Sequence, residues 1–507
     1  MKGKSILEKI TINTVKVIFT SVICLLLFAS IVSTCDVTKK EYTILRTDNV
    51  FINLAKVLIF FIVAISVKKL IPKLTNKMII TCIIFWTIIA VIWIVSTQLM
   101  PRADQLYIMD TATNLRNNNT IDFNKGNYLD RNPTQIGIVM FLYAFSFIFG
   151  NGNYVALQFL NIPAILLTIY FIYKTSKLMF KQNNILKDDR IVILAILGFM
   201  PLIFYVTFIY GNIYGLFFSI LAFWLEYSYF EKEKTIKILG LVVCSAIAVL
   251  IKINYLVNLI AMILLFTYHI IYNKKYKYVI TIFIVPIVSI SIKFGITSFL
   301  KYKYDIKLSD GVPMIAYIEM GLQRGGFAPG WYNGYNRNVY LENDCDTEKT
   351  KTAVKKDLEN TLMKFKNEPA YAVGFFALKE LSQWNNPSFQ SVWVNQNRQH
   401  NIEIPRVQNN IIRKGIVYVI LSEYMDFYHM IILLGTALYM IFEYKNINIQ
   451  QLGFAIAFMG GFLFYTFWEG KAQYVFIYFM LIIPYAVNGL EIGINKLESN
   501  LKKEKNF

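Results

Sequence analysis

Long apolar segments recur along the whole chain and restrict what it can fold into. Each is about 17 to 22 residues long, the length of α-helix that crosses roughly 30 Å of hydrocarbon. The composition agrees, since 56% of the 507 residues are hydrophobic and only 16% are charged. The sequence therefore predicts an all-α polytopic membrane protein with about 12 transmembrane helices. The predicted helices cover residues 14–34, 51–67, 78–97, 154–173, 191–210, 212–230, 236–251, 255–272, 278–299, 414–442, 452–467 and 474–490.

Basic residues between the predicted helices indicate how the chain is oriented in a cell membrane. They cluster at residues 68–77, 174–190, 274–277 and 496–505, and at Lys2, Lys4 and Lys9. All these clusters fall on one side if the apolar segment 135–150 lies along the membrane surface and does not cross it. That side is predicted to be the cytoplasm, because lysine-rich loops stay there. Both termini are then predicted to be cytoplasmic. The net charge of +19 has the same explanation, so membrane lipids are expected partners and nucleic acid is not.

The same orientation predicts that the longest polar segments lie on the outer face of the membrane. It divides the chain into a transmembrane core, an extracellular cap, C-terminal transmembrane helices and a cytoplasmic basic tail. The cap is too long and too rich in aromatic residues to be disordered. The predicted boundaries are 1–299 for the core, with outer loop 98–134 and juxtamembrane helix 135–150, then 300–413, 414–490 and 491–507.

The first outer loop carries acids close to the membrane surface. Asp104, in ADQLYIMD, follows a predicted spanning helix by a few residues, where a lipid head group would lie. A carboxylate there can take a proton from an attacking hydroxyl, although a solvated loop acid explains the position equally well. Asp110 is the weaker candidate, because six residues place it on another helical face. Gln105 and Tyr128 are further candidates for binding a sugar or an acceptor.

Two lysines near predicted outer tips could hold a phosphate. Lys252 interrupts the apolar run AVLIKINYLVNL, where a cation suits a lipid phosphate but could also simply snorkel to the interface. Lys471, in FWEGKAQYVF, could neutralise a departing phosphate, with Glu469 orienting it. Tyr474 of the same tip could bind substrate or serve as an aromatic membrane anchor.

The predicted cap contains glycine-rich aromatic sequence that is typical of carbohydrate contact. GLQRGGFAPGWYNGYN supplies Arg324 as a phosphate ligand, and Trp331 and Tyr332 as sugar-stacking groups. Trp384, in ELSQWNNPSFQS, has the same character. Such loops also serve as plain structural turns. No set of His, Cys, Asp and Glu has metal-ligand spacing, so no metal site is predicted.

These segments together resemble the polytopic glycosyltransferases of the GT-C fold, the class that includes protein O-mannosyltransferases and aminoarabinose transferases. The resemblance rests on DQLYIMDTATNLRNN, YLDRNPTQIG, LNIPAILLTIYFIYK, IYGNIYGLFF, IKINYLVNLIA and WEGKAQYVFIYF. It implies a polyprenyl-phosphate sugar donor, a cell-envelope glycan, lipid or protein as acceptor, and no cofactor. It also implies that Asp104 is the catalytic base. Asn212 stands where many relatives have an acid, so we expect a metal-independent enzyme.

Two other classes of function are compatible with the same chain. A lipid-linked glycan flippase or other transporter would want ionisable groups deep within the helices, and few charges lie there. A non-catalytic scaffold would explain the aromatic cap but not the acidic loop. Release of sugar from a polyprenyl-phosphate donor distinguishes the enzyme from both.

Overall fold

The protein is an almost entirely helical bundle, seen here in a computed structural model that describes residues 6–70, 73–183, 185–276, 279–395 and 402–504. Lys2, Lys4, Lys277 and Lys505 of the predicted cytoplasmic clusters lie outside the described residues. The first half contains α1 (Ile6–Val32), β1 (Ser33–Val37), β2 (Thr43–Thr47), α2 (Val50–Leu70), α3 (Asn76–Thr97), α4 (Asp104–Arg116), α5 (Tyr128–Arg131), α6 (Ile136–Phe149), α7 (Tyr154–Met179), α8 (Ile191–Leu197), α9 (Pro201–Tyr205), α10 (Gly211–Glu231) and α11 (Thr235–Ile251). The second half contains α12 (Leu256–Tyr272), α13 (Ile280–Tyr304), α14 (Met314–Leu322), α15 (Tyr335–Glu342), α16 (Thr347–Asn367), α17 (Pro369–Trp384), α18 (Arg406–Ile412), α19 (Ile416–Phe442), α20 (Gly453–Phe467) and α21 (Ala472–Glu504).

Ten helices of the described chain are long and apolar enough to cross a membrane, so the prediction of an all-α polytopic membrane protein is confirmed at that level. They are α1, α2, α3, α7, α10, α12, α13, α19, α20 and α21. Residues Ile121–Arg131 and Pro133–Phe149 form a pair bent by 101°, which could count as an eleventh span. Of the other predicted spans, residues 236–251 are found in the 17-residue helix α11. The interfacial position of residues 135–150 stays a prediction.

The predicted single helix at residues 191–210 is wrong, because the chain breaks between α8 and α9. Pro201 begins α9, and proline has no amide hydrogen to continue a helix. The break is stabilised from α19, where the Tyr424 hydroxyl donates to the Gly198 carbonyl at 2.8 Å and the Tyr428 hydroxyl donates to the Ala195 carbonyl at 2.6 Å. Carbonyls released by a helix break need such partners in an apolar interior.

The loops sort into two ends of the bundle, as the charge pattern requires. At one end the Arg190 guanidinium donates to the Leu74 carbonyl at 2.6 Å, and the Lys16 ammonium donates to the Tyr444 carbonyl at 2.8 Å. These contacts join segments that the charge pattern assigns to the cytoplasm. The first outer loop, the predicted tips that carry Lys252 and Lys471, and the described residues of the long segment 305–413, which we call the insert, meet at the opposite end. We call this opposite end the insert end.

A short β-hairpin, which the sequence did not predict, also lies at the insert end. Strands β1 and β2 pair antiparallel with Ser33 opposite Thr47. The Thr43 amide donates to the Phe327 carbonyl at 3.2 Å, and the Cys35 amide donates to the Asn385 carbonyl at 2.9 Å. The hairpin therefore joins the start of the chain to the insert.

The insert does not merely lie over the helix ends, because residues 385–395 enter the bundle. Phe389 is fully buried, with its ring centroid 5.6 Å from Phe199 and 5.1 Å from Phe479. The Tyr205 hydroxyl donates to the Phe389 carbonyl. The gap between α8 and α9 thus lies where the insert packs into the helices.

Candidate functional site

Asp104 lies at the first turn of α4, on the solvent-exposed surface of the insert end. Ala103 precedes it with a φ of 50°, which turns the chain sharply after α3. The Asp104 carboxylate lies beside the Tyr128 hydroxyl, and burial together with this negative charge raises the pKa of Tyr128 well above its usual value. Tyr107 stacks on Tyr128 with centroids 5.0 Å apart. An exposed acid is therefore backed by the buried ring of Tyr128, which the exposed Tyr107 covers.

Lys252 brings a buried cation to the same place from the turn after α11. Its ammonium lies 3.8 Å from the Tyr210 ring centroid and 5.6 Å from the Tyr474 ring centroid. Burial lowers the pKa of Lys252 to about 8, while the charges of Asp104 and Glu469 act in the opposite direction. Lys252 forms no direct ion pair with either acid within the described ranges. Its charge is held by aromatic faces and by carboxylates at longer range.

Glu469 and Tyr474 reach the cluster from the connection between α20 and α21. The Tyr474 hydroxyl donates to Glu469 Oε1 at 3.3 Å. Burial raises the pKa of Glu469 to about 7, Lys471 lowers it, and Asp104 raises it again. Glu469 is 8% exposed. Near neutral pH it therefore carries only part of a negative charge.

The direct partner of Lys471 is Glu41 in the hairpin, and not Glu469 as we expected. Lys471 Nζ lies 2.7 Å from Glu41 Oε1, with both side chains largely buried. Lys471 also lies 5.6 Å from the Trp393 ring centroid, over which the Arg102 guanidinium packs at 3.8 Å. Burial lowers the pKa of Arg102, and Glu41 opposes that change. Glu41 is thus the acidic neighbour of two cations, Lys471 and Arg102.

Three tyrosines complete the walls of the cluster. The Tyr210 hydroxyl accepts from Gln135 at 2.6 Å. Tyr317 stacks on Trp468 and donates to Asn132 at 3.0 Å. Tyr332 is partly exposed near Lys471, and burial, followed by the charges of Glu469 and Asp104, raises its pKa.

Lys379 fastens the connection that carries Glu469, a role that the sequence analysis missed. Its fully buried ammonium donates to three carbonyls, those of Gly321 at 2.6 Å, Trp468 at 2.8 Å and Thr466 at 3.0 Å. Desolvation lowers the pKa of Lys379. The Glu469 amide is also bonded to the Tyr317 carbonyl at 3.2 Å. The insert therefore sets the backbone position of Glu469.

The structure does not bring the remaining predicted residues to this cluster in a binding role. Gln105 is buried, donates to the Val394 carbonyl at 2.7 Å and accepts from the Ile209 amide at 3.0 Å. Its side chain therefore binds two backbone segments and is not available to a ligand. Asp110 is exposed and has Asp122 as its charged neighbour, which together with burial raises its pKa. Arg324 lines a separate cavity.

The predicted sugar-stacking role of the two insert tryptophans is wrong. Trp331 is 0% exposed and its indole donates to Ser382 at 2.8 Å. Trp384 is 1% exposed and packs 4.9 Å from the Phe458 ring centroid. Neither ring face is open to a sugar. Both residues belong to the core that joins the insert to the bundle.

The cluster combines groups that can move a proton with groups that can hold an anion. Three carboxylates, Asp104, Glu469 and Glu41, lie among three cations, Lys252, Lys471 and Arg102. No group of three or more His, Cys, Asp or Glu side chains that could hold a metal occurs among the residues described. Comparison of the chain with protein-family models, curated proteins and solved structures finds no match. Function must therefore be inferred from the residues and their contacts.

Proposed function

We propose that this protein is a membrane glycosyltransferase that transfers a sugar from a polyprenyl-phosphate donor to a cell-envelope acceptor on the outer face of the membrane. One observation carries the proposal: Asp104 and Lys252 come from separate parts of the chain, yet Asp104 lies close enough to the buried Lys252 ammonium for its charge to raise the pKa of that lysine. A carboxylate that can accept a proton, beside a cation that can hold a phosphate, is the pair of groups this transfer needs.

In the proposed reaction an acceptor hydroxyl attacks the anomeric carbon of the donor sugar. The bond between that carbon and the phosphate oxygen breaks, and its electron pair leaves with polyprenyl phosphate. Asp104 takes the hydroxyl proton, and its exposure leaves room for an acceptor. Lys252 and Lys471 stabilise the negative charge that develops on the departing phosphate. Attack from the opposite face inverts the anomeric configuration.

The aromatic walls of the cluster suit the remainder of the donor. Tyr332 and Tyr474 lie beside the two lysines, and aromatic faces pack against the apolar faces of sugar rings. Tyr128 lies beside Asp104. We assign Tyr332 and Tyr474 to the sugar, and Tyr128, which is largely buried, to the wall that supports Asp104. The proposed reaction needs neither a nucleotide nor a metal.

The proposal requires the insert end to face outward and the lysine-rich end to face the cytoplasm. The separation of the two sets of loops supports this orientation, because the lysine-rich connections share one end. The insert is then an extracellular cap, and both termini are cytoplasmic.

Transfer from a synthetic donor tests the proposal. The parental protein, reconstituted in liposomes, should move labelled sugar from a polyprenyl-phosphate hexose or pentose to envelope extract. Asp104→Asn should lower kcat by about a hundredfold or more while donor binding persists. Asp122→Asn is the matched control, since that carboxylate accepts from Asn114 in the same loop. A parental rate in Asp104→Asn rejects the base, and absence of transfer from every donor rejects the function.

One observation favours the alternative of a lipid-linked glycan flippase. Glu226 is fully buried within α10, and in the described part of the chain its carboxylate oxygens have no hydrogen-bond partner. An isolated acid inside a spanning helix is a feature of transport pathways. A flippase predicts that Glu226→Gln stops movement of a fluorescent lipid-linked sugar between leaflets. The glycosyltransferase predicts that the same variant still transfers sugar.

A further inference from the structure

The insert end contains a second cavity, separate from the Asp104 cluster, with a volume of about 260 Å³. It lies between the β-hairpin, the loop at residues 324–329 and one face of α17. This volume lies just below the roughly 300 Å³ at which pockets for drug-sized ligands begin, so the cavity suits a small ligand.

The walls of the cavity differ in polarity. Leu378 and Leu381 project from one face of α17, as their spacing on a helix requires, and Leu45 of β2 adds to this apolar side. The lining also includes the loop 324–329 and the hydroxyl-bearing residues Thr43 and Ser382. A ligand with an apolar face and a polar edge, such as a sugar ring, fits this division.

Arg324 gives the cavity its chemical preference. Its side chain is exposed, and it pairs with no acid in the described ranges; the residues that line the cavity include this cation and no carboxylate. The loop is closed by an antiparallel bridge between Arg324 and Pro329, which leaves the guanidinium as the group of this turn that is exposed at the cavity. A guanidinium without an acidic partner binds carboxylate or phosphate, since its planar N–H groups can hold either one with two hydrogen bonds.

The loop that forms this cavity is also joined to the Asp104 cluster. The Gly330 carbonyl, directly after the loop, accepts from the Gly470 amide at 2.9 Å. Gly470 lies between Glu469 and Lys471, so a ligand in the cavity would be bound next to the proposed reaction centre. A β-carbon at Gly330 would lie 2.5 Å from Lys379 and 2.6 Å from the Gly321 carbonyl, which shows how closely the two parts pack.

We propose that this cavity binds an anionic unit of the acceptor, a sugar or polyol that carries a carboxylate or phosphate. The anionic group pairs with Arg324, and the apolar face of the unit lies on the α17 leucines. The assignment of the ligand as acceptor, and not donor, rests on the proposed function. The assignment of the ligand as an anion is independent of that function.

Direct binding of inorganic phosphate tests the anion site. Calorimetry on the full-length protein in detergent, at constant ionic strength, should detect phosphate binding that Arg324→Gln weakens tenfold or more. Gly326→Glu should weaken it as well, because a β-carbon at that position has no neighbour within 4 Å and the new carboxylate would occupy the guanidinium. Arg406→Gln is the control, an exposed arginine of the insert outside the cavity. Equal affinity in the parent and Arg324→Gln, or no binding by the parent, overturns the proposal.

Kinetics then identify which substrate the cavity holds. If it holds the acceptor, Arg324→Gln should raise the acceptor KM at least tenfold and leave the donor KM unchanged. A rise in the donor KM instead would assign the cavity to the donor phosphate and overturn the acceptor assignment. If no variant transfers sugar, the proposed function fails, whereas the difference in phosphate binding still decides the anion site.

Discussion

Lys471 and Glu41 form an ion pair of 2.7 Å between residues 430 positions apart in the chain. Glu41 lies in the hairpin turn with a φ of 71°, and Lys471 lies just before α21. The pair therefore links the first and last membrane-spanning helices at the insert end. Because the two side chains are 12% and 9% exposed, loss of either one would leave the other largely buried without its direct ion-pair partner.

Breaking this pair from either side should destabilise the protein more than removing it entirely. Removal of one partner from a buried pair costs about 3 to 5 kcal/mol, so Lys471→Met and Glu41→Gln should each lower the apparent Tm in detergent by several degrees. The double variant should recover part of that loss. Lys351→Met is the control, since its pair with Glu348 is exposed. A double variant no more stable than the worse single variant would contradict the prediction.

The pKa of Lys252 predicts a limit to activity on the alkaline side. Burial lowers that pKa to about 8, so the ammonium is charged below pH 8 and neutral above it. Transfer that needs this charge should decline as pH rises through about 8. Lys252→Arg keeps its charge and should move the decline upward by at least one pH unit. The measurement is kcat/KM against pH, and an unchanged profile in Lys252→Arg would exclude this role.

The same lysine makes a prediction about stability with the opposite dependence on pH. A folded-state pKa below the unfolded value means that the contribution of Lys252 to stability is present above its unfolded pKa and is lost as pH falls through about 8. The parent should therefore lose apparent Tm relative to Lys252→Met between pH 9 and pH 6. A difference in Tm that does not vary with pH would show that the folded and unfolded pKa values are alike.

Lys379 should act on transfer through the position of Glu469. Lys379→Met leaves three carbonyls without their donor, so amide hydrogen exchange at residues 466–470 should accelerate, and kcat should fall more than donor affinity. Lys356→Met, an exposed lysine of α16, should change neither. Because a structural defect alone could lower kcat, the local exchange rate and the split between kcat and KM decide the matter. Slow exchange with parental kcat would refute the role.

Labelling of single cysteines tests the orientation of the bundle. In a variant from which all five native cysteines have been removed, an impermeant maleimide on intact cells should label Lys125→Cys. The same reagent should label Lys187→Cys only after the cells are opened. Both residues are exposed, and they lie in the two sets of loops that the charge pattern separates. The reverse result would remove the outer face as the place of the reaction.

The meeting of Asp104, Lys252 and Glu469 follows from features that are visible in sequence. Each lies near the end of an apolar run, and the distribution of lysines predicts that those ends share one face. In the structure the charges of Lys252 and Glu469 each shift the pKa of the other, and the charge of Asp104 raises the pKa of both. Such reasoning assigns residues to an end of the bundle. It does not determine which of them touch.

The partners that the sequence analysis missed have no local signal. Glu41 is one acid in a short polar connection, and its pairing with Lys471 depends on how the first and last helices pack. Lys379 lies in a helix of ordinary composition and becomes fully buried only because three backbone segments surround it. The sugar-stacking role of Trp331 was predicted wrongly because a local signal was present but ambiguous. A glycine-rich aromatic sequence is compatible with both a binding loop and a packed turn. Pro201 was an overlooked local signal, since proline cannot donate the amide hydrogen bond of a helix interior. It is not a decisive signal, because Pro163, Pro286 and Pro484 lie inside continuous helices.

The entry of Phe389 into the helices also has a consequence for how the protein is assembled. Its ring lies against Phe199 of the first half and against Phe479 of the final helix, so residues 385–395 supply part of the surface on which α21 packs. A bundle synthesised without the insert would leave Phe199 and Phe479 without the aromatic side chain that they share. We therefore expect the insert and the bundle to depend on each other for correct assembly.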